Sequence, residues 1–244
     1  SAWTGFLMPG YTDRNRDHGF MVHGTLGCNS EWSYMVAVTN GDGGDSIRNV
    51  WDPRTDDNLA YSARLNWAFL KPTFYEEGAL RQSTCEWYGE AGAWAHAHDN
   101  RVDGPHAEVY DLVMWGVDIA LGYGGFSMTA ACTIGALDLP GSELDTTALL
   151  LQAGWLFPGT AWEVAARWSR LRAEVLDDEA DMTELAGVVN YYLNGHANKL
   201  SVDITALASG SEGVVGLVGI YPGLRSPGTD EDELLFRFQW QLAL

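Results

Sequence analysis

The last residues of the chain, from Glu231 to Leu244, constrain its fold more than any other stretch. From Phe236 onward one face carries the apolar Phe236, Phe238, Trp240, Leu242 and Leu244, and the other carries Arg237, Gln239 and Gln241. An alternation with a period of two predicts a β-strand with one apolar and one polar side. Its large aromatics and its recurrence upstream predict the strands of a transmembrane β-barrel, apolar towards lipid and polar towards the lumen.

Composition is compatible with such a fold. Only 19% of the 244 residues are charged, while the chain has 11 Trp and 28 Gly. No apolar run reaches the roughly 18 residues of a membrane helix, so we expect any membrane span to be β. The chain also carries a net charge of -19, which would repel the phosphate backbone and argues against nucleic acid as a partner. Because the chain opens at Ser1 without a charged n-region and an apolar h-region, we expect a mature form or a fragment.

The alternation predicts a single all-β domain, an antiparallel up-and-down β-barrel over residues 1–244 with 1–16 as an irregular lead-in. Short turns and long polar loops mostly alternate, the exception being the link at 71–83. A soluble β-sandwich or β-helix is the alternative. About eleven strands are expected, at 18–26, 31–39, 59–69, 84–96, 110–122, 126–136, 147–157, 161–172, 182–193, 199–207 and the tail, with loops at 40–58, 98–109, 138–145, 177–181 and 208–230.

Large aromatic side chains are predicted to gather at the two ends of the strands, as they do at bilayer interfaces. The smaller set, Phe20, Tyr61, Trp168 and Phe236, lies towards the long loops. This banding predicts a bacterial outer-membrane location, with outer-membrane lipid and lipopolysaccharide as partners. The larger set of predicted interface aromatics is Trp32, Trp67, Phe69, Trp155, Phe157, Trp162, Tyr191 and Trp240.

Several segments resemble the bacterial porin O/P family, the phosphate-selective porin-like proteins. They are N-R-D-H-G-F-M-V-H-G at 15–24, A-Y-S-A-R-L-N-W at 60–67, P-G-T-A-W-E-V-A-A-R-W-S-R-L at 158–171, N-Y-Y-L-N-G-H-A-N-K-L at 190–200, and the tail. The resemblance implies a 16-stranded outer-membrane barrel, a homotrimer, and passage of small anions, in some members phosphate. About five further strands would then lie outside this chain. A smaller closed barrel, with residues 1–12 as a twelfth strand, is the alternative.

The lumen-facing residues follow from the parity of each strand. Basic and acidic groups are equal in number among them, four of each. Each arginine could pair with a neighbouring carboxylate in the wall or act directly on permeating ions. The predicted pore-lining residues are Arg64, Asn66, Asp118, Glu163, Arg167, Glu184, Asn190, Lys199, Asp203, Arg237, Gln239 and Gln241.

These lumen residues contain no concentrated ladder of Lys or Arg, which phosphate selectivity requires. The surplus acidic residues are expected in loops, such as Asp42, Asp45 and 177–181, where they would favour cations at the mouth. Acidic loops could also bind Ca²⁺, although Asp42-Gly43-Gly44-Asp45 does not match an EF-hand. No other cofactor is predicted.

Cysteines, histidines and serines are the remaining residues of the chain that could carry chemistry. Cys28 and Cys85 could pair at one rim, or all three cysteines could be free thiols. His96, His98 and Asp99 lack a third ligand at a fixed spacing, so no metal site is predicted. No motif joins a nucleophile, a histidine and a carboxylate, so the chain is predicted not to be an enzyme.

The sequence therefore predicts a porin that allows passive diffusion of ions and small polar solutes, with inorganic anions such as phosphate among the candidates. The alternative is a non-conducting outer-membrane scaffold or adhesion barrel, whose acidic loops bind partners or divalent cations.

Overall fold

The computed structural model contains eleven strands, each antiparallel to its neighbours in sequence, in one sheet. It describes residues 19–27, 31–39, 59–71, 86–101, 109–139, 142–175, 178–195, 197–209 and 232–242. The prediction of an all-β, up-and-down antiparallel fold is confirmed. The strands are β1 (Gly19–Leu26), β2 (Trp32–Thr39), β3 (Ala60–Trp67), β4 (Trp87–Arg101), β5 (Val109–Tyr123), β6 (Phe126–Leu139), β7 (Ser142–Leu156), β8 (Trp162–Val175), β9 (Asp178–Asn194), β10 (Asn198–Ser209) and β11 (Glu233–Leu242).

The sheet is open across the described residues, since β1 and β11 are its two edge strands. Tight turns lie at one end of the sheet, which we call the turn rim, and the opposite end is the loop rim. At the turn rim, Gly124 and Gly195 both have φ near +55°. Glycine adopts this left-handed conformation without steric cost, and the two-residue turn at 124–125 between β5 and β6 requires it. No helix in the described part of the chain is long and apolar enough to cross a membrane.

The two faces of the sheet differ in accessibility. We call inner the face that carries Arg64, Asp118 and Arg167, and outer the face that carries Trp67, Val117 and Trp168; the strand pairings make each set continuous. Buried polar groups such as Glu163 and Glu184 lie on the inner face, whereas exposed Trp and Leu side chains cover the outer face. This distribution is the reverse of a water-soluble sheet, and it matches a barrel surrounded by lipid.

The outer apolar surface forms a band of bilayer height. On β5, alternate outer residues from Val113 to Tyr123 are apolar. That segment is about 11 residues long, and a membrane-spanning strand tilted by about 45° needs roughly 9–11. The described sheet therefore has an outer surface that fits the hydrocarbon core of a membrane.

Strands reach further towards the loop rim than the sequence predicted. The predicted loops at 138–145 and 177–181 are wrong, because β6 extends to Leu139, β7 begins at Ser142 and β9 begins at Asp178. The predicted loop at 98–109 is shorter, since β4 continues to Arg101. Acidic residues had suggested loops, but Asp138 and Asp145 point outward into solvent beyond the apolar band. A charged residue on a solvated face does not end a strand, so the predicted alternation of short turns and long loops fails after β6 and after β8.

Some predictions lie outside the described residues. They are the irregular lead-in at 1–16, most of the acidic loops considered for Ca²⁺, and the pairing of Cys28 with Cys85. Cys132 is a free thiol that is partly accessible on the outer face of β6.

The apolar band can be tested on β7. Leu151 faces outward and is exposed, whereas the adjacent Gln152 faces inward. We expect Leu151→Arg to lower the free energy of unfolding in lipid by roughly 2–4 kcal/mol, because the charge would enter hydrocarbon. The matched change Gln152→Arg should cost less than about 1 kcal/mol. Urea titration in lipid vesicles, followed by tryptophan fluorescence, measures both, and equal costs would contradict the assignment of the faces.

Candidate pore-lining face

All twelve predicted pore-lining residues lie on the inner face of the sheet. The pairings place Arg64 and Asn66 of β3 on the same face as Asp118 of β5, with β4 between them. The remaining residues follow the same face through β8, β9, β10 and β11. The sequence parity therefore agrees with the register, while the pore-lining role itself stays a prediction.

The ion pair between Arg64 and Asp118 crosses over β4. Arg64 Nη1 and Nη2 each donate to one carboxylate oxygen of Asp118 at 2.8 Å. Both side chains are 23% exposed. The pair passes above Gly92, where a Cβ atom would lie 2.8 Å from Asn66 Oδ1 and 2.9 Å from Asp118 Oδ1. Glycine at position 92 therefore leaves the space that this bidentate pair occupies.

Two more arginines of the inner face are bonded to carboxylates. Arg167 Nε donates to Glu184 Oε1 at 2.7 Å between β8 and β9, and Glu184 is only 2% exposed. Arg237 Nε donates to Asp203 Oδ1 at 2.8 Å between β11 and β10. Arg64, Arg167 and Arg237 therefore pair with carboxylates within the wall. This is one of the two roles that the sequence predicts for them. Their charges are largely neutralised by adjacent carboxylates.

A buried polar network lies near the turn rim. Glu163 accepts hydrogen bonds from Asn190 Nδ2 at 3.2 Å and from Tyr192 Oη at 3.0 Å. Ser201 Oγ in turn donates to Asn190 Oδ1 at 2.6 Å. These side chains and the nearby Lys199 are almost fully buried. The network joins β8, β9 and β10 on the inner face, and it satisfies polar groups that burial would otherwise leave costly.

The sequence pattern does not show which residues of β4 face inward, because its many small residues give the two faces similar polarity. The pairing of β4 with β3 places Trp94 beside Arg64 and His96 beside Ser62 on the inner face. Trp94 lies over Gly116, where a Cβ atom would be 2.8 Å from its Nε1. Ser62 Oγ and His96 Nδ1 are 2.8 Å apart. Large aromatic side chains opposite glycines were the signal that could have revealed this face.

The predicted interface aromatics pack in pairs near the turn rim. Trp32 stacks on Trp67 with ring centroids 5.8 Å apart, and Phe69 lies 5.6 Å from Trp67. Trp162 and Tyr191 are 4.6 Å apart. Three more of these residues, Trp155, Phe157 and Trp240, are exposed. Trp87 and Tyr123 form a similar pair that sequence analysis missed.

Towards the loop rim the outer face becomes charged. Arg170 Nε donates to both carboxylate oxygens of Asp181, at 2.9 and 3.0 Å, and Arg172 lies 3.7 Å from the same carboxylate. These hydrogen bonds and the positive charge of Arg170 hold the pKa of Asp181 below its usual value, although burial opposes the shift. This cluster lies beyond the apolar band, so it marks the part of β8 and β9 that stands in water.

Comparison with known proteins gives a fold and no family. No protein-family model matches the chain, and no curated protein matches it. A solved structure that does match is OmpTdeltaL8, a loop L8 deletion mutant of OmpT, an outer membrane protein of Vibrio cholerae. The TM-score is 0.51 at 10% sequence identity, and the match covers 78% of this chain and 57% of that chain. This chain therefore spans less than two thirds of the length of that protein, and at this identity the likeness shows the fold alone.

The comparison corrects the prediction that the chain is not an enzyme. That prediction depended only on the absence of a sequence motif. The chain shares its fold with an outer membrane protein at 10% identity, so a catalytic site on this fold need not carry a motif that the sequence reveals. Because one fold can carry either a pore or a catalytic site, the prediction that excluded catalysis is wrong to do so.

The resemblance to the porin O/P family is supported only in its coarser part. An outer-membrane protein with a similar arrangement of strands supports the barrel, whereas the family itself stays a prediction. The inner polar face, the outer apolar band and the shared fold agree with one another. The chain folds as a bacterial outer-membrane β-barrel protein.

Proposed function

We propose that this protein is a porin, through which ions and small polar solutes diffuse passively across the outer membrane. One observation carries the proposal. Arg64, Asp118 and Arg167 keep about a quarter of their surface accessible on the inner face, and Gln152 is exposed there. At the same depth the outer face carries apolar residues such as Val117 and Leu151, which suit lipid. Charged groups accessible from the inside at membrane depth suit the wall of a water-filled channel.

The charge pairing supports a general diffusion pore better than a phosphate-selective one. A phosphate-selective pore needs several basic groups that are available to replace the hydration of the anion. Arg64, Arg167 and Arg237 each donate to a carboxylate of the wall instead. Weak ion selectivity is therefore expected from this part of the wall.

The proposal includes the partners expected of such a pore. The exposed outer band would contact outer-membrane lipid and lipopolysaccharide, and small ions would be the permeants. A homotrimer is part of the proposal because the family resemblance implies one. Chemical cross-linking of the detergent-solubilised protein tests the trimer.

Conductance in a planar lipid bilayer tests the function directly. The folded protein should give steady, ohmic single-channel steps, with weak ion selectivity under a salt gradient. Block of the current by millimolar phosphate would contradict the general pore. Folded protein without any conductance would overturn the porin and favour a non-conducting scaffold barrel.

Breaking one ion pair should change the selectivity. In Asp118→Asn the charge of Arg64 loses its bidentate partner on the inner face, so anion permeability relative to cation should rise roughly two-fold. The matched variant Asp145→Asn removes a charge from the exposed outer face of β7, and it should shift the reversal potential less. Reversal potentials under a salt gradient measure both, and equal shifts would contradict an inner position for Asp118.

The same pair should contribute to stability. A double-mutant cycle with Arg64→Gln and Asp118→Asn should give a coupling energy of roughly 0.5–1.5 kcal/mol, since the pair is bidentate and only partly exposed. The pair of Lys71 with Glu86, in which both side chains are more than half exposed, is the control. Its coupling should stay below about 0.5 kcal/mol. Urea unfolding measures both cycles, and equal couplings would show that the wall pair has no special role.

A further inference from the structure

The inner face changes character between the middle of the sheet and the loop rim. Six apolar side chains there are each no more than 6% exposed. We call these residues the inner apolar layer. They are Leu112 and Met114 on β5, Leu144 and Ala148 on β7, and Leu171 and Ala173 on β8.

The change of polarity is clearest along β8. At Glu163, Arg167 and Ser169 the polar residues point inward, whereas from Arg170 onward the charged residues point outward and Leu171 points inward. A register slip would turn every side chain to the opposite face. The pairings of β8 with β7 and β9 run without a shift, so the inversion is encoded in the sequence of a regular strand.

The layer differs from the rest of the inner wall in its contact with water. Leu171 is 2% exposed, while Gln152 on the neighbouring strand is exposed two inward-facing positions closer to the turn rim. On the described inner face of β5 to β8, no charged side chain lies between the layer and the level of Asp118 and Arg167. The inner face at this level also carries Thr133 on β6 and Thr146 on β7, and the Thr146 hydroxyl donates to Gly135 O at 3.2 Å. An ion at this level would therefore lose water and gain no charged group from these strands in exchange.

We propose that the inner apolar layer forms a hydrophobic constriction at the loop-rim end of the lumen, which limits the passage of ions relative to uncharged solutes. The proposal rests on the pore function proposed above and adds the part of the wall that restricts it. Narrow apolar sections of channels resist ions because water withdraws from them. The polar part of the inner face on the turn-rim side of the layer, around Asp118 and Arg167, would then hold water and the permeating ions.

Single-channel conductance of polar variants tests the constriction. Leu171→Asn and Leu144→Asn should each raise the ion conductance by roughly two-fold, because a polar group would hold water in the layer. The matched control is Val188→Asn, which makes a similar change on the inner face of β9, opposite Ala165 and Asp203. The control should leave conductance nearly unchanged.

The outcomes separate this inference from the proposed function. If the unmodified protein conducts and both layer variants match it, the constriction is overturned and the pore stands. If the unmodified protein conducts and both layer variants conduct about two-fold more, while Val188→Asn does not, the constriction is supported. If neither the protein nor any variant conducts, the pore itself is overturned.

Thiol labelling tests the dryness of the layer without relying on conductance. In a background with Cys28, Cys85 and Cys132 changed to Ser, Leu171→Cys should react with a charged maleimide about ten-fold more slowly than Ser169→Cys. Ser169 lies on the same strand and face, and it is only partly buried. Equal rates in folded protein, verified by heat-modifiable gel mobility, would overturn a dry layer.

Discussion

The structure depends on the satisfaction of backbone hydrogen bonds in a place where no water can supply them. In lipid each unpaired N–H or C=O costs several kcal/mol, so a spanning chain must pair its whole backbone. Here every strand from β2 to β10 pairs on both sides, with one register irregularity near Asn198. That continuity fixes which side chains face inward and which face outward. The chemistry of both surfaces then follows from strict alternation along each strand.

Along the inner wall, basic side chains pair with acidic ones and do not form a continuous row of positive charge. Arg64, Arg167 and Arg237 each reach a carboxylate on another strand, and in the first case the bond crosses an entire strand above Gly92. Such pairs link strands of the wall to one another and lower the net field in the lumen. The same wall becomes apolar near the loop rim, where Leu144 and Leu171 are buried. Selectivity and conductance would therefore be set at different depths.

Sequence patterns predicted the strands and their faces well where alternation was strict. The parity of β3, β8 and β11 matches the register because a half-buried strand repeats every two residues. The pattern does not predict the faces of β4, because its Ala and Gly residues give little contrast in polarity around Trp94. It also failed at Asp138, Asp145 and Asp181, which were interpreted as loop residues. At these positions the outer face lies beyond the apolar band. The charged residues there indicate contact with solvent and not the end of a strand.

The sequence by itself determined that this chain forms amphipathic strands with a lipid-compatible face, because that information is local and repeats along the chain. Only the tertiary structure decided which residues meet across strands, such as Arg64 with Asp118, since their separation along the chain gives no distance. It also decided that the apolar residues of β5, β7 and β8 near the loop rim share the inner face. Each strand contributes only two of them, so their common position exists only once the register brings the strands together.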